Sequence, residues 1–301
     1  MKVVMFSGQG AQKIGMGKAF YDSFDLCRHT FEEASEALGM DMARLCFEEK
    51  ELLSQTEYAQ PALLTAGISA YRLLTGQGFV PGLLMGLSLG EYTALTAAGV
   101  INFADALNLV HTRGKIMTQY AKDGGMLAAI GVDRHVLEDI CQSVSHIGFA
   151  MCANYNTPEQ TVLAGQHTAL EACAAKIKDA GGKSMPLKVS GPFHTMLMQD
   201  AADRFMGTLS KVQVSEGDTP VISNVSGDIF PPAQFAATLN RHMTSPVRWT
   251  ECVEKAIAMG ADTFVELGCG KVLVNFVKKI NGTVEAFPVE TTDDIQLAGI
   301  I

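Results

Sequence analysis

Apolar and polar positions change period several times along the chain, and each change predicts an element. Residues 2–6 (Lys-Val-Val-Met-Phe) are β-rich, alternate only weakly and stop at Gly8-Gln9-Gly10. That pattern predicts a first buried strand followed by a glycine loop. From Phe20 to Leu38, and again from Gln60 to Leu74, apolar residues recur at helical spacing, which predicts two packing helices, with Pro61 in a first turn. The apolar run Gly82 to Met85 predicts a second strand, and Glu91 to Ala98 the helix after it. Between Phe103 and Tyr120, steps of three and four place Phe103, Leu107, Val110, Arg113 and Met117 on one helical face.

Beyond Gly125 the texture changes. Met126 to Val132 reads as a strand, Arg134 to Ser143 as a helix, and Gly148 to Ala153 and Gln160 to Ala164 as two strands. Thr168 to Ala180 reads as a helix and Lys183 to Leu187 as a strand. The order is βαββαβ, the ferredoxin-like split motif. Gly124-Gly125 and Gly181-Gly182 supply turn residues near its limits. A breaker-rich loop, Ser190-Gly191-Pro192-Phe193-His194, then leads into a helix carrying Met196, Ala201 and Phe205. Pro220 to Ser223 and Thr263 to Leu267 read as buried strands. The second ends at Gly268-Cys269-Gly270-Lys271 before an apolar helix, Val272 to Val277. The tail from Glu290 carries no pattern.

Composition narrows the class. At 301 residues the chain can bury a substantial core without staples. The formal net charge of -9 argues against nucleic acid as a partner, because phosphate recognition needs clustered Lys and Arg. The seven cysteines are odd in number and lack C-x-x-C spacing. They read as reduced thiols in a cytoplasmic protein, with no metal site. No segment has the apolar length of a membrane span, and the N-terminal run is too short for a signal peptide. No nucleotide loop closes around Gly8 to Lys18: there is no G-K-[ST], and Lys13 stands where a third glycine would be.

The chemistry centres on Gly86-Leu87-Ser88-Leu89-Gly90, which has the form G-x-S-x-G. In such an elbow a serine sits on a strained strand-to-helix turn, near unpaired helix N–H groups that favour an oxyanion. The pattern also arises by chance, so it needs partners. A serine hydroxyl needs a base, and for acyl transfer that is nearly always histidine. Of seven histidines, His29, His111, His135, His146 and His167 read as surface or helix-end residues, leaving His194 and His242. His194 lies in a loop just after a predicted strand, where α/β active sites collect, and is favoured. No acid is assignable by spacing; a main-chain carbonyl would orient the imidazole equally well. Arg113 allows two readings. It snorkels from a half-buried face, or it is buried and its planar fork takes a ligand carboxylate.

The chain resembles the malonyl-CoA:acyl carrier protein transacylase family over nearly its whole length. The motifs that carry the likeness are Phe6-Ser7-Gly8-Gln9-Gly10, Gln60-Pro61-Ala62, Gly86 to Tyr92, Arg113-Gly114, Gly191 to His194, Ser245-Pro246-Val247-Arg248-Trp249 and Glu266 to Leu273. The resemblance implies an α/β fold: an α/β-hydrolase-like large domain (1–124 and 188–301) interrupted by a ferredoxin-like small subdomain (125–187). It implies Ser88 as nucleophile, His194 as base, and the backbone N–H groups of Gln9 and Leu89 as oxyanion hole. Arg113 would hold the malonyl carboxylate, Phe193 would crowd an α-methyl group, and the backbone carbonyl of Arg248 would orient His194. The donor would be malonyl-CoA. The acceptor would be the phosphopantetheine thiol of an acyl carrier protein, reached in a ping-pong cycle that supplies fatty-acid synthesis. A monomer with no permanently bound cofactor is expected.

Three residues depart from the family pattern. Leu87 stands where most members have histidine, Arg248 where many have glutamine, and Cys269 where proline is common. Lys183, Lys188, Lys278 and Lys279 are candidate contacts for an acidic carrier, though solvated lysines are the simpler reading. Other readings are a discrete trans-acting acyltransferase of polyketide assembly, a serine thioesterase or esterase, and a non-catalytic scaffold. A hydrolase of neutral acyl groups has no use for a buried Arg113, and a scaffold none for the intact constellation.

Overall fold

The computed structural model describes residues 1–121 and 123–297, without the side chains of residues 296 and 297. Lys122 and residues 298–301, which the expected large domain includes, lie outside the described residues.

β1 (Lys2–Phe6) is buried over its last four residues. The helix expected over 20–38 is two, α1 (Lys18–Ser23) and α2 (Asp25–Leu38), because Phe24 takes an extended conformation between them. Short helices α3 (Met42–Phe47) and α4 (Lys50–Leu53) lead into α5 (Thr56–Gly76). Since α5 starts four residues earlier than the apolar spacing suggested, Pro61 lies in its second turn. The N–H that Pro61 lacks leaves the Glu57 carbonyl free, and His111 Nδ1 donates to that oxygen at 3.2 Å.

β2 (Leu83–Gly86), α6 (Leu89–Ala97) and α7 (Phe103–Tyr120) follow. Next come β3 (Gly125–Ile130), α8 (Arg134–Ser143), β4 (Ala150–Thr157), β5 (Gln160–Gly165), α9 (His167–Asp179) and β6 (Lys183–Pro186). The chain closes with α10 (Gln199–Leu209), α11 (Phe235–His242), α12 (Trp249–Ala258), β7 (Thr263–Leu267), α13 (Val272–Ile280), β8 (Glu285–Val289) and α14 (Thr292–Leu297). β8 has no alternation, and its Pro288 is tolerated because the strand is an edge. The strand expected at Pro220 to Ser223 is only a pair of bridges, Leu84 to Val221 and Ile222 to Ile229.

Two sheets result. One is parallel, in the order β2-β1-β7-β8, and covered on both faces, which explains its near-continuous apolar strands. The other is antiparallel, in the order β4-β5-β3-β6, and its residues alternate between faces. Leu127, Ala129, Cys152 and Leu163 pack beneath α8 and α9, whereas Met126, Ala128, Ala153 and Val162 join the main core. β4 is also pinned to the larger unit: Tyr155 N–H donates to the Val247 carbonyl at 2.9 Å, and Val247 N–H to the Ala153 carbonyl at 2.8 Å. Among the described residues no helix is long and apolar enough to cross a membrane.

Candidate active site

The carboxyl ends of β1 and β2 lie side by side, with Phe6 paired to Gly86. The turn after β2 is made possible by absent side chains. A Cβ on Gly86 would lie 2.0 Å from the Gly90 carbonyl carbon, and one on Gly90 2.1 Å from the Phe6 carbonyl oxygen. Any other residue at either position would push α6 off the sheet. Ser88, at the tip of the turn, has φ 52°. Among the described residues the only other non-glycine with positive φ is His194, at 61°. Left-handed backbone costs of order 1–3 kcal/mol per residue, and it occurs at the two residues whose side chains meet.

Ser88 Oγ donates to His194 Nε2 at 2.7 Å, and His194 Nδ1 donates to the His242 carbonyl at 2.9 Å. The carbonyl fixes the tautomer, so Nε2 carries the lone pair that can take the serine proton. This corrects the assignment of that carbonyl to Arg248. The Arg248 side chain is exposed, and its carbonyl instead accepts from Cys252 N–H at the start of α12, at 2.9 Å. His242, the other candidate base, follows Arg241 in a polar stretch of sequence yet is fully buried, with its ring centroid 5.1 Å from that of His194. Burial chiefly, and then the nearby Arg113 charge, push the His194 pKa down to about 3, against the pull of the His242 and Ser245 carbonyls.

Arg113 is 1% exposed, so of its two readings the structure selects the buried one. Nη1 donates to Gln60 Oε1 at 2.9 Å, Nη2 lies 3.5 Å from Ser88 Oγ, and the guanidinium sits 5.1 Å over the Tyr92 ring. Among the described residues it has no ion-pair partner, and its Nε has no hydrogen-bond partner. Burial lowers its pKa, while Tyr92 and Glu91 oppose the shift. A buried cation with donor capacity to spare, beside the serine oxygen, has the charge and the free N–H groups to take a small carboxylate.

The Gln9 side chain donates to Thr56 Oγ1 at 2.9 Å, and Gln9 borders the same cleft as Ser88. Leu89 is the first residue of α6, where N–H groups have no helical acceptor. Gln9, Ser88, Arg113, Phe193, His194 and Leu87 all border a cleft of about 400 Å³ between the two sheets. Phe193 is buried against it, and Leu87 packs partly against the Trp249 cluster. Lys188 reaches the rim, while Lys183 is exposed on β6. Cys269 donates its thiol to the Ala11 carbonyl at 2.9 Å, and its own carbonyl accepts from Ser7 at 2.8 Å, which fits a structural role. Among the described residues no group of three or more His, Cys, Asp or Glu could hold a metal ion.

Spacing did not reveal Asn224. Its Oδ1 accepts from Ser88 N–H at 2.7 Å and its Nδ2 donates to the Gly86 carbonyl at 2.8 Å, so one amide clamps both sides of the elbow. Its N–H in turn donates to Glu91 Oε2 at 2.8 Å. A lone asparagine after an expected buried strand carries no signal of this.

The profile of the acyl transferase domain family matches residues 3–298. The malonyl CoA-acyl carrier protein transacylase of Bacillus subtilis is 40% identical over 300 residues, covering 98% of this chain and 95% of that protein. The crystal structure of MCAT from Streptococcus pneumoniae superposes with a TM-score of 0.96 at 39% identity over the full length of both chains. A malonyl-transacylase in complex with its type II polyketide synthase acyl-carrier protein superposes with a TM-score of 0.96 at 36% identity, covering 99% of this chain and 98% of that one. The chain belongs to the acyl transferase domain family and, within it, to the malonyl CoA-acyl carrier protein transacylases.

Proposed function

We propose that this acyltransferase moves a malonyl group from malonyl-CoA to the phosphopantetheine thiol of an acyl carrier protein, supplying fatty-acid synthesis, and does so through a malonyl ester on Ser88. Ser88 Oγ attacks the thioester carbonyl as His194 Nε2 takes its proton. The oxyanion that forms is held by the N–H groups of Gln9 and Leu89, an arrangement worth several kcal/mol in comparable sites. Collapse breaks the C–S bond, and His194 returns the proton to the departing CoA thiolate. In the second half, His194 takes the proton of the carrier thiol, sulfur attacks the acyl-serine, and the proton returns to Ser88.

Arg113 holds the malonyl carboxylate and so selects the donor. Its charge also works on the base. In the empty site it disfavours the imidazolium of His194, and a bound carboxylate offsets that field, so the base strengthens when malonyl is present. A neutral acyl group brings no such compensation. Phe193 limits room for an α-substituent, and Leu87 presents an apolar wall where most relatives have histidine. Residues 1–124 and 188–301 are taken as the catalytic domain and 125–187 as the subdomain that closes the cleft. The enzyme is taken to be a cytoplasmic monomer with no permanently bound cofactor, since every step uses groups of the chain or the two thioesters.

The 2.7 Å contact between Ser88 Oγ and His194 Nε2, with Arg113 beside the same oxygen, carries the reading. Incubation with malonyl-CoA is expected to add one malonyl mass to the intact protein, and Ser88→Ala to abolish it. A wild-type protein that takes up no malonyl mass would refute the acyl-enzyme route. The likeness to a polyketide-associated malonyl-transacylase supports a second reading, transfer to a polyketide carrier. Transfer rates across a panel of carrier proteins separate the two.

A further inference from the structure

Glu91 is the third residue of α6, and an acidic residue in a first helical turn ordinarily faces water. Here it is completely buried under the elbow. Its Oε2 accepts the Asn224 N–H at 2.8 Å and lies 3.7 Å from His242 Nε2, while Oε1 has no hydrogen-bond partner. These two neighbours lead to different halves of the dyad. Asn224 clamps the backbone on both sides of Ser88. His242 supplies the carbonyl that orients His194.

A buried carboxyl group is a costly way to accept one N–H. Burial raises the Glu91 pKa to about 7, against the Asn224 N–H, the Ser223 hydroxyl and the Arg113 charge. A glutamine would be buried with no ionisation cost, but its carbonyl accepts more weakly than a carboxylate and its other end is an NH2 donor. What the carboxylate adds is negative charge that, with Tyr92, acts on Arg113, and an oxygen 3.7 Å from the fully buried His242 ring, neither of whose nitrogens has a hydrogen-bond partner among the described residues.

We propose that Glu91 is a positioning residue for the transfer reaction: by holding Asn224 on one side and the His242 segment on the other, it keeps Ser88 and His194 in register. This rests on the malonyl-transfer reading above. Glu91 touches neither the substrate nor the reacting atoms, so its effect belongs in turnover rather than in donor binding. Small displacements of a nucleophile or its base are expensive, whereas the carboxylate receptor at Arg113 is held separately by Gln60 and Tyr92.

The test compares wild type, Glu91→Gln, Asn224→Ala and the double variant in steady-state malonyl transfer, with thermal melting at pH 8. For Glu91→Gln, kcat is expected to fall about tenfold or more, with KM for malonyl-CoA within about twofold of wild type. The melting temperature is expected to hold or rise, because a glutamine removes the cost of the buried charge. The two substitutions act on one clamp, so the double variant should fall no more than about threefold below the worse single one. A Glu91→Gln variant with wild-type kcat, a loss that follows the melting temperature, or fully multiplicative losses in the double variant would each overturn the proposal. The malonyl adduct on Ser88 of the wild type is the internal control. Its absence overturns the transfer reading and this one together, whereas its presence with an unaltered Glu91→Gln overturns the positioning role alone.

Discussion

Of the residues proposed to touch the reacting atoms, Gln9, Ser88 and Leu89 lie at the carboxyl edge of the parallel sheet and Arg113 on α7, while His194 is carried by the loop between β6, an antiparallel strand, and α10. The antiparallel sheet instead gives the cleft a wall: Met126, Ala128 and Val162, with the amides of Asn154, Asn156 and Gln160. The difference follows from strand direction. In the parallel sheet all carboxyl ends lie at one edge, so the loop after β1, the elbow after β2 and the N–H end of α6 converge there. In the antiparallel sheet successive strands leave in opposite directions and no edge collects loops. What it can offer is a face, and its alternation provides one side for α8 and α9 and one for the cleft. The serine elbow and its N–H groups are thus placed at an edge, where the loop after β6 brings His194 to meet them, and shape is placed on a face.

That division can be broken by substitution on either side. The largest effect is expected at the edge. Arg113→Ala should lower kcat/KM for malonyl-CoA about a hundredfold or more, while transfer of an acetyl group is kept or gained. Steady-state rates with both donors measure this, and an unchanged preference would remove Arg113 from the acyl site. On the face, Asn156 Oδ1 is buried without a partner and borders the cleft. Asn156→Ala should therefore raise KM for malonyl-CoA about fivefold, with kcat within about twofold. A fall in kcat at constant KM would mean that the antiparallel sheet takes part in the chemistry.

The smallest expected effect is on the pH profile. A histidine with a depressed pKa stays in its base form as pH falls, so its activity is lost only near its own value, about 3 in the empty site. The kcat/KM of the free enzyme should change less than about twofold on that account between pH 7 and pH 5. The acid limb of kcat should begin at higher pH, because the bound carboxylate offsets the Arg113 charge. Buried Glu91, at about 7, titrates in the same window, while His242 is pushed well below its usual range. Profiles recorded in Glu91→Gln isolate the contribution of His194. The same shift governs stability. The raised Glu91 pKa favours the folded state below about pH 4.5, and that advantage is lost as pH rises through 7. The native carboxylate is therefore a liability on the order of 3 kcal/mol at most above that pH.

How much of this was legible in the sequence depended on how local the cause was. The elbow was readable because G-x-S-x-G is one contiguous pattern in which Gly86 answers to a clash four residues on, at Gly90, although the demand on Gly90 itself comes from the Phe6 carbonyl on the neighbouring strand. Arg113 was readable as a choice between two environments, since helical periodicity put it on an apolar face, but burial on that face depends on α5, 53 residues away at Gln60. The βαββαβ order was readable because alternation and helical spacing switch at each boundary. The break at Phe24, the edge strand β8 and the bare bridges at Val221 and Ile222 were not, because packing against distant elements sets each of them.

The sequence by itself determined the strands and helices that carry the site, the serine turn and, with its motifs, the family. Only the tertiary structure decided which groups surround Ser88. The carbonyl behind His194 belongs to His242 and not Arg248, the clamp on Ser88 is Asn224, 136 residues away, and Glu91 lies beneath both. A backbone carbonyl or an amide has no sequence signature, since every residue has the one and many have the other. Their roles come from where the folded chain brings them to rest.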